Sequence, residues 1–559
     1  MLLLSACWLS AAVAVPAYQR WNLMTVVGGE QVQATLCGDE FMHYYQSADG
    51  RKFLLGDGGL LEPMTAGGES LMEQRHSARM AQRAMLAAAG KAPTRGLPQP
   101  PVAFRGTLRQ LVILVSFPDM RFKDEAPLQL WNGIFNTPGY SEGNFMGSVH
   151  DYFYEQSYHQ FDLQFDVHYV QADESYTYYG RNTSSGDDAK IRDLIVEVCR
   201  KVAAEVGDWS PYDWNGDGLV EQVFILYAGK GENDGGNEMT IWPHQWWLDS
   251  PVQIAGGYSI YNYGCFAELD GQGTYGTFGV LCHEYSHCLG LPDLYMTVSP
   301  YSNTVGEFSL LDYGCYNGNG FQPLGYSAFE RYALGWLQPT ELTEPLTVAA
   351  MQPLSVAGEA YTMTNDADDN EFYILENRQH SGWDITVPDT GVVVWHIAYS
   401  EKAWKDNVVN NTSSMRRVAI VPASNYSGTL SQSMMTYRRL GLLARWAYPY
   451  DGNDSLTTTS LPAATWFTRG TDGSTYLTDR AVTDIKINDA GKASFKYRGG
   501  SSPSGIAGIP ADGDQVVAVY TLDGRQLPLG GLSRAGVFII RCKSGRTCKV
   551  ILPLSRIEP

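Results

Sequence analysis

The sequence predicts a multidomain α+β protein, a mixed sheet backed by helices and followed by β-sandwich domains. Three observations predict it. At 559 residues the chain is too long for one hydrophobic core, and a hydrophobic content of 44% is globular rather than disordered. Between residues 104 and 340, apolar runs of strand length alternate with a helix-period stripe, the order expected of a sheet with helices packed on it. From 341 to 498 short alternating strands broken by Gly, Asn and Asp take over, the pattern of a sandwich. The formal net charge of −20 repels a polyanion, so nucleic acid is excluded as a partner.

Residues 1–17, MLLLSACWLSAAVAVPA, form an apolar run ending in small residues and too short for a permanent membrane helix. They read as a signal peptide cleaved near Ala14 or Ala17, which places the protein outside the cell or at its surface. Leu4-Ser5-Ala6-Cys7 also fits a lipoprotein box, but apolar sequence continues beyond Cys7 where a tether turns polar. Residues 18–101 differ in character, with short alternating runs followed by an Arg- and Ala-rich stretch. Arg75, Arg79, Arg83 and Arg95 are exposed processing candidates before the linker Pro98 to Pro101.

Leu108 to Phe117 is a continuous apolar run, expected to be a buried central strand. Asp187 to Val206 carries a helix-period stripe ended by Gly207, and Val223 to Tyr227 is a second buried strand. Between them Asp213, Asn215 and Asp217 alternate before Gly218, with Glu221 following, a candidate calcium loop. Position twelve is Phe224 rather than a bidentate Glu, so an Asx-rich turn is the competing reading. His244, among the aromatics of Ile241 to Trp247, reads as a core histidine.

The stretch Leu281 to Tyr295, LCHEYSHCLGLPDLY, carries the chemistry. On a helix, His283 and His287 stack on one face four residues apart, the spacing that lets two imidazoles share a zinc ion. Glu284 lies beside them as a general base for a metal-bound water. Gly290 permits a left-handed turn, after which Asp293 returns as third ligand and leaves the fourth position open. In the tail, Ser544-Gly545-Arg546 between Cys542 and Cys548 suggests a tight hairpin with a disulfide across it.

HEYSHCLGLPDLY resembles the zinc-binding sequence of the immune inhibitor A-like metallopeptidases, peptidase family M6, within the wider metzincin group. The resemblance implies a metzincin-like zinc endopeptidase that hydrolyses protein or peptide substrates. Phe308 to Gly314, FSLLDYG, resembles the turn beneath the metal, with Leu311 where the family has Met; Tyr313 is a candidate to stabilise an oxyanion, and a packing Tyr with its hydroxyl at the surface is the competing role. The resemblance also implies that the strand Tyr258 to Leu269 forms the cleft's upper rim, where substrate adds antiparallel, and that Pro323 to Leu337 is the helix closing the domain. Gly38-Asp39-Glu40-Phe41 and Ala48-Asp49-Gly50 resemble the family's propeptide, in which Cys37 is a candidate metal cap.

In the region after the protease, His396, Glu376 and Arg378 read as structural pairing. Residues 499–559 resemble the sorting domain by which Bacteroidetes bacteria export proteins through the type IX system, which would make that machinery a partner. The expected organisation is a signal peptide at 1–17, a propeptide at 18–101, a catalytic domain at 102–340, a β-sandwich at 341–498 and a sorting domain at 499–559, in a monomer. A retired protease serving as a surface protein that binds protein or glycan is the competing reading.

Overall fold

The computed structural model describes residues 13–39, 42–56, 58–70, 72, 74, 104–183, 188–297, 304–412, 414–424 and 446–500, with strands between 516 and 552. The four candidate processing arginines and the Pro98–Pro101 linker lie outside the described residues.

The run at Leu108 forms the strand Gly106–Ser116, an interior strand of a six-stranded mixed sheet, one place in from the edge. Phe161–Gln171 and Val223–Lys230 pair with it in parallel on either side. Tyr258–Leu269 then pairs in parallel with Val223–Lys230, and His244–Ala255 pairs antiparallel with Tyr258–Leu269. Val13 and Ala14 finish the order, antiparallel to Gln245 and His244.

Alternation along Gly106–Ser116 builds a core on each face. Val112 and Leu114 pack with Phe278, Leu281 and Tyr285 of the helix Phe278–Cys288, whereas Leu111, Ile113 and Val115 pack with Leu194, Ile195 and Val198 of the helix Ile191–Val206. Gly207 ends that second helix with φ of 66°. The closing helix is shorter than expected, Ala328–Ala333 instead of Pro323 to Leu337. Ser327 and Glu330 make a capping box that starts it late, and Gly335, at φ of 73°, turns the chain away.

Residues 22–63 form a separate five-stranded antiparallel meander over a small core of Val26, Val32, Ala34, Phe53 and Leu61. It docks on the 231–242 loop: His43 lies 3.3 Å from Glu232 and stacks on Trp242, and Arg20 reaches Asp234 at 3.2 Å.

Beyond residue 340 a five-stranded and a three-stranded sheet enclose one core, containing Met351, Tyr373, Leu375, Val394 and Phe495. The opposite face of the five-stranded sheet, with Phe372, Ile374, Val393, Trp395 and Ile397, joins the core of the metal-bearing helix. The apolar interior therefore runs through the 340/341 boundary. Alternation also separates Glu376 from His396. Glu376 lies on the inner face near Arg378, which binds Asp384 at 2.7 Å, while His396 lies on the other face, stacked between Tyr373 and Phe467 and 2.8 Å from Glu371. They do not share a site.

The tail strands Val516–Thr521, Gln526–Leu527, Gly536–Cys542 and Thr547–Leu552 form one four-stranded sheet. Its register sets Cys548 opposite Ile540, so the hairpin does not place Cys548 opposite Cys542, against the expected disulfide geometry.

Candidate metal centre

The helix Phe278–Cys288 is interior along nearly its whole length, which is why its sequence lacks a polar face. Gly279 lets it approach the 313–320 segment closely, since a Cβ there would sit 1.8 Å from the Cys315 carbonyl. Gly290 follows with φ of 90°, and its N–H donates to the His287 carbonyl at 2.8 Å. The chain reverses there and brings Asp293 back under the two histidines.

His283 Nε2 and His287 Nε2 lie 3.2 and 3.3 Å from Asp293 Oδ1, all three side chains wholly buried. None of these three atoms has a hydrogen-bond partner. The outer nitrogens are committed, His283 Nδ1 to the Leu310 carbonyl at 2.8 Å and His287 Nδ1 to the Leu291 carbonyl at 2.7 Å. A carbonyl only accepts, so each Nδ1 carries the proton and each Nε2 lone pair points inward. Burial lowers the His287 pKa, which favours its neutral form. Two neutral imidazoles and one carboxylate with inward lone pairs fit a divalent cation, and no other such trio forms among the described residues.

The turn beneath is built from Ser309 to Tyr313. Ser309 Oγ donates to Glu330 Oε1 at 2.6 Å, and Asp312 Oδ2 accepts from the N–H groups of Val305 and Gly306 at 3.0 and 2.7 Å. Leu311 is fully buried, and its carbonyl accepts from Leu294 N–H at 2.8 Å.

A peptide segment crosses the centre. Val15 N–H donates to Glu284 Oε1 at 2.8 Å, and the Val15 carbonyl accepts from Trp242 Nε1 at 3.2 Å. The Pro16 carbonyl accepts from Tyr316 Oη at 2.5 Å, and Gln19 Nε2 donates to Tyr313 Oη at 3.0 Å. Tyr313 is therefore buried against this segment, with its hydroxyl directed into the cleft rather than to the surface. The chain crossing here is the end of the predicted leader. Sequence reasoning missed Trp242 and Tyr316, whose only signal was aromatic composition near the motif.

Two expectations are corrected. The rim strand is His244–Ala255, because Tyr258–Leu269 is paired on both edges and has no free ladder to offer. Cys37 is buried within its own sheet, Sγ 3.8 Å from the Thr35 carbonyl, and burial pushes its thiol up to about 12; it does not join the metal trio.

The candidate calcium loop finds no support: Asp213, Asp217 and Glu221 do not gather as a metal-binding trio among the described residues. Asp213 accepts from the N–H groups of Gly216, Asp217 and Gly218 at 2.8 to 3.1 Å, Asn215 from Asp217 N–H, Asp217 from Leu219 N–H, and Glu221 from Trp214 N–H. These oxygens cap the loop's own backbone, the Asx-rich turn that was the competing reading. His244 has both ring nitrogens bonded, to the Trp242 carbonyl and Tyr263 Oη, as a core histidine should.

A buried His-His-Asp trio beside a glutamate on an interior helix is the arrangement of a metal-dependent hydrolase. Residues 107–339 match the family model described as immune inhibitor A peptidase M6, catalytic domain. The chain is 28% identical over 285 residues to immune inhibitor A of Bacillus thuringiensis subsp. alesti, covering 43% of this chain and 41% of that protein. It is 25% identical over 284 residues to the pre-pro-metalloprotease PrtV of Vibrio cholerae serotype O1 (strain M66-2), covering 42% of this chain and 30% of that protein. The chain thus spans less than half the length of either relative, and the family match at residues 107–339 contains every residue of the trio.

Proposed function

We propose that the protein is a zinc-dependent endopeptidase that cleaves protein substrates with a metal-activated water. The observation that carries this is the trio of unpartnered, inward-facing atoms on His283, His287 and Asp293 next to Glu284. Zinc, when bound, polarises the scissile carbonyl and acidifies water. Glu284 takes the water proton and returns it to the departing amine, and Tyr313 offers its hydroxyl to the developing oxyanion. Substrate lies antiparallel to His244–Ala255, where Val13 and Ala14 lie now, which favours extended peptides. A chelator should abolish hydrolysis and zinc should restore it; hydrolysis indifferent to the chelator would overturn the reading.

The amino-terminal region acts in this reading as a removable inhibitory segment, with Val15 rather than Cys37 closing the site. Support comes from the Val15 N–H on Glu284, the residue a productive water must reach. Cleavage of the leader after Ala14 preserves this plug, whereas cleavage after Ala17 removes it. Val15→Pro, which deletes the N–H, should raise activity of the unprocessed chain several-fold, and equal latency would refute the plug. Export by residues 1–17 and a type IX sorting role for 499–559 complete the proposal, tested by whether deleting each strands the protein in the cell.

A further inference from the structure

The third metal ligand is held by a residue from outside the matched peptidase segment. Asn407 follows the short helix Glu401–Lys405, beyond the family match that ends at residue 339. Its Oδ1 accepts from Asp293 N–H at 2.7 Å, and its Nδ2 donates to Asp293 Oδ2 at 2.6 Å. A backbone N–H only donates, so the orientation of this amide is fixed. One carboxylate oxygen is thereby tied to Asn407, and the other, Oδ1, is left facing both imidazoles.

The neighbouring contacts make the same junction rigid. Trp404 Nε1 donates to the Gly290 carbonyl at 2.9 Å, and Asn410 Nδ2 to the Leu294 carbonyl at 2.7 Å, bracketing the loop that carries Asp293. Asn407 has φ of 52°, a left-handed conformation that asparagine tolerates better than most side chains, and it is 1% exposed. A buried amide held in that conformation and spending one end on the Asp293 backbone N–H and the other on its carboxylate has a directional task beyond filling space.

We infer that Asn407 is a positioning residue for the metal: the domain after the peptidase segment completes the ligand set by selecting which Asp293 oxygen coordinates. This rests on the zinc reading above. Outer partners of this kind change metal affinity by about 10- to 100-fold.

The test uses the full chain and zinc alone, with affinity from competition against a chromophoric chelator and the visible spectrum of the cobalt-substituted protein. Asn407→Gly keeps the left-handed backbone and should weaken zinc binding by at least tenfold and alter the cobalt spectrum. Asn410→Ala, which removes a loop contact but no ligand contact, should leave both within about twofold. Should the glycine variant not fold, Asn407→Asp keeps the shape, replaces the donor with an oxygen facing Asp293 Oδ2, and should weaken zinc comparably. Affinity and spectrum unchanged in these variants would overturn the role of Asn407. Failure of the parent protein to bind zinc would instead overturn the metal site itself.

Discussion

Two stretches of this chain look like metal sites on paper, and only one gathers a His/Cys/Asp/Glu trio within metal-binding distance among the described residues. In the 283–293 stretch the outer atoms of both histidines are tied to carbonyls and the inner atoms meet at 3.2 to 3.3 Å with no hydrogen-bond partner. In the 213–221 loop the oxygens accept from the loop's own N–H groups. The difference teaches that ligand chemistry in the right order is insufficient. A site needs lone pairs that converge and that the local backbone does not already use.

The largest expected effect falls on catalysis. Glu284→Gln should lower turnover by about 10²- to 10⁴-fold in processed protein while zinc content stays at one per chain, read by metal analysis alongside kinetics. Next comes ligand loss itself. Asp293→Ala should abolish stoichiometric zinc, whereas Asp213→Ala should leave calcium and zinc content unchanged and cost about 1–2 kcal/mol of stability from lost turn hydrogen bonds, measured by denaturant unfolding. A calcium-dependent rise in melting temperature that Asp213→Ala removes would break the comparison.

Gly279→Ala should destabilise by about 1–3 kcal/mol, because its methyl group would meet the Cys315 carbonyl at 1.8 Å. An unchanged unfolding midpoint would show that the floor yields easily.

The smallest effect concerns pH. Burial raises the Glu221 pKa from 4.5 to about 7, so folding favours its neutral form. That contribution is fully present below pH 4.5 and is lost as pH rises through about 7. Glu221→Gln should flatten the melting temperature across this window, and a retained slope would assign it to other groups.

Much of the architecture was legible because it is local. The unbroken apolar run at Leu108 became an interior strand buried on both faces, though one place in from the sheet edge rather than central, since a strand covered on both faces has no polar position. The stripe ending at Gly207 became a helix for the equally local reason of 3.6-residue periodicity. The rim strand was misjudged because alternation in Tyr258–Leu269 reports its two faces, not whether its edges are paired. The apolar end of the leader was read for its composition, which says nothing of the cleft that residues 15–16 enter.

The sequence by itself determined the placement of His283, Glu284 and His287 on one helix and the turn that returns Asp293, because four-residue spacing and a glycine after the helix fix those positions through nearby backbone alone. Tertiary structure decided which strand edge is open, which chain segment reaches Glu284, and which Asp293 oxygen is left facing the two histidines. Those outcomes depend on partners 269 and 114 residues away, brought into hydrogen-bonding range by sheets packing on one shared core. Hydrogen bonds across such separations leave no periodicity in the chain, so they become visible only when it is folded.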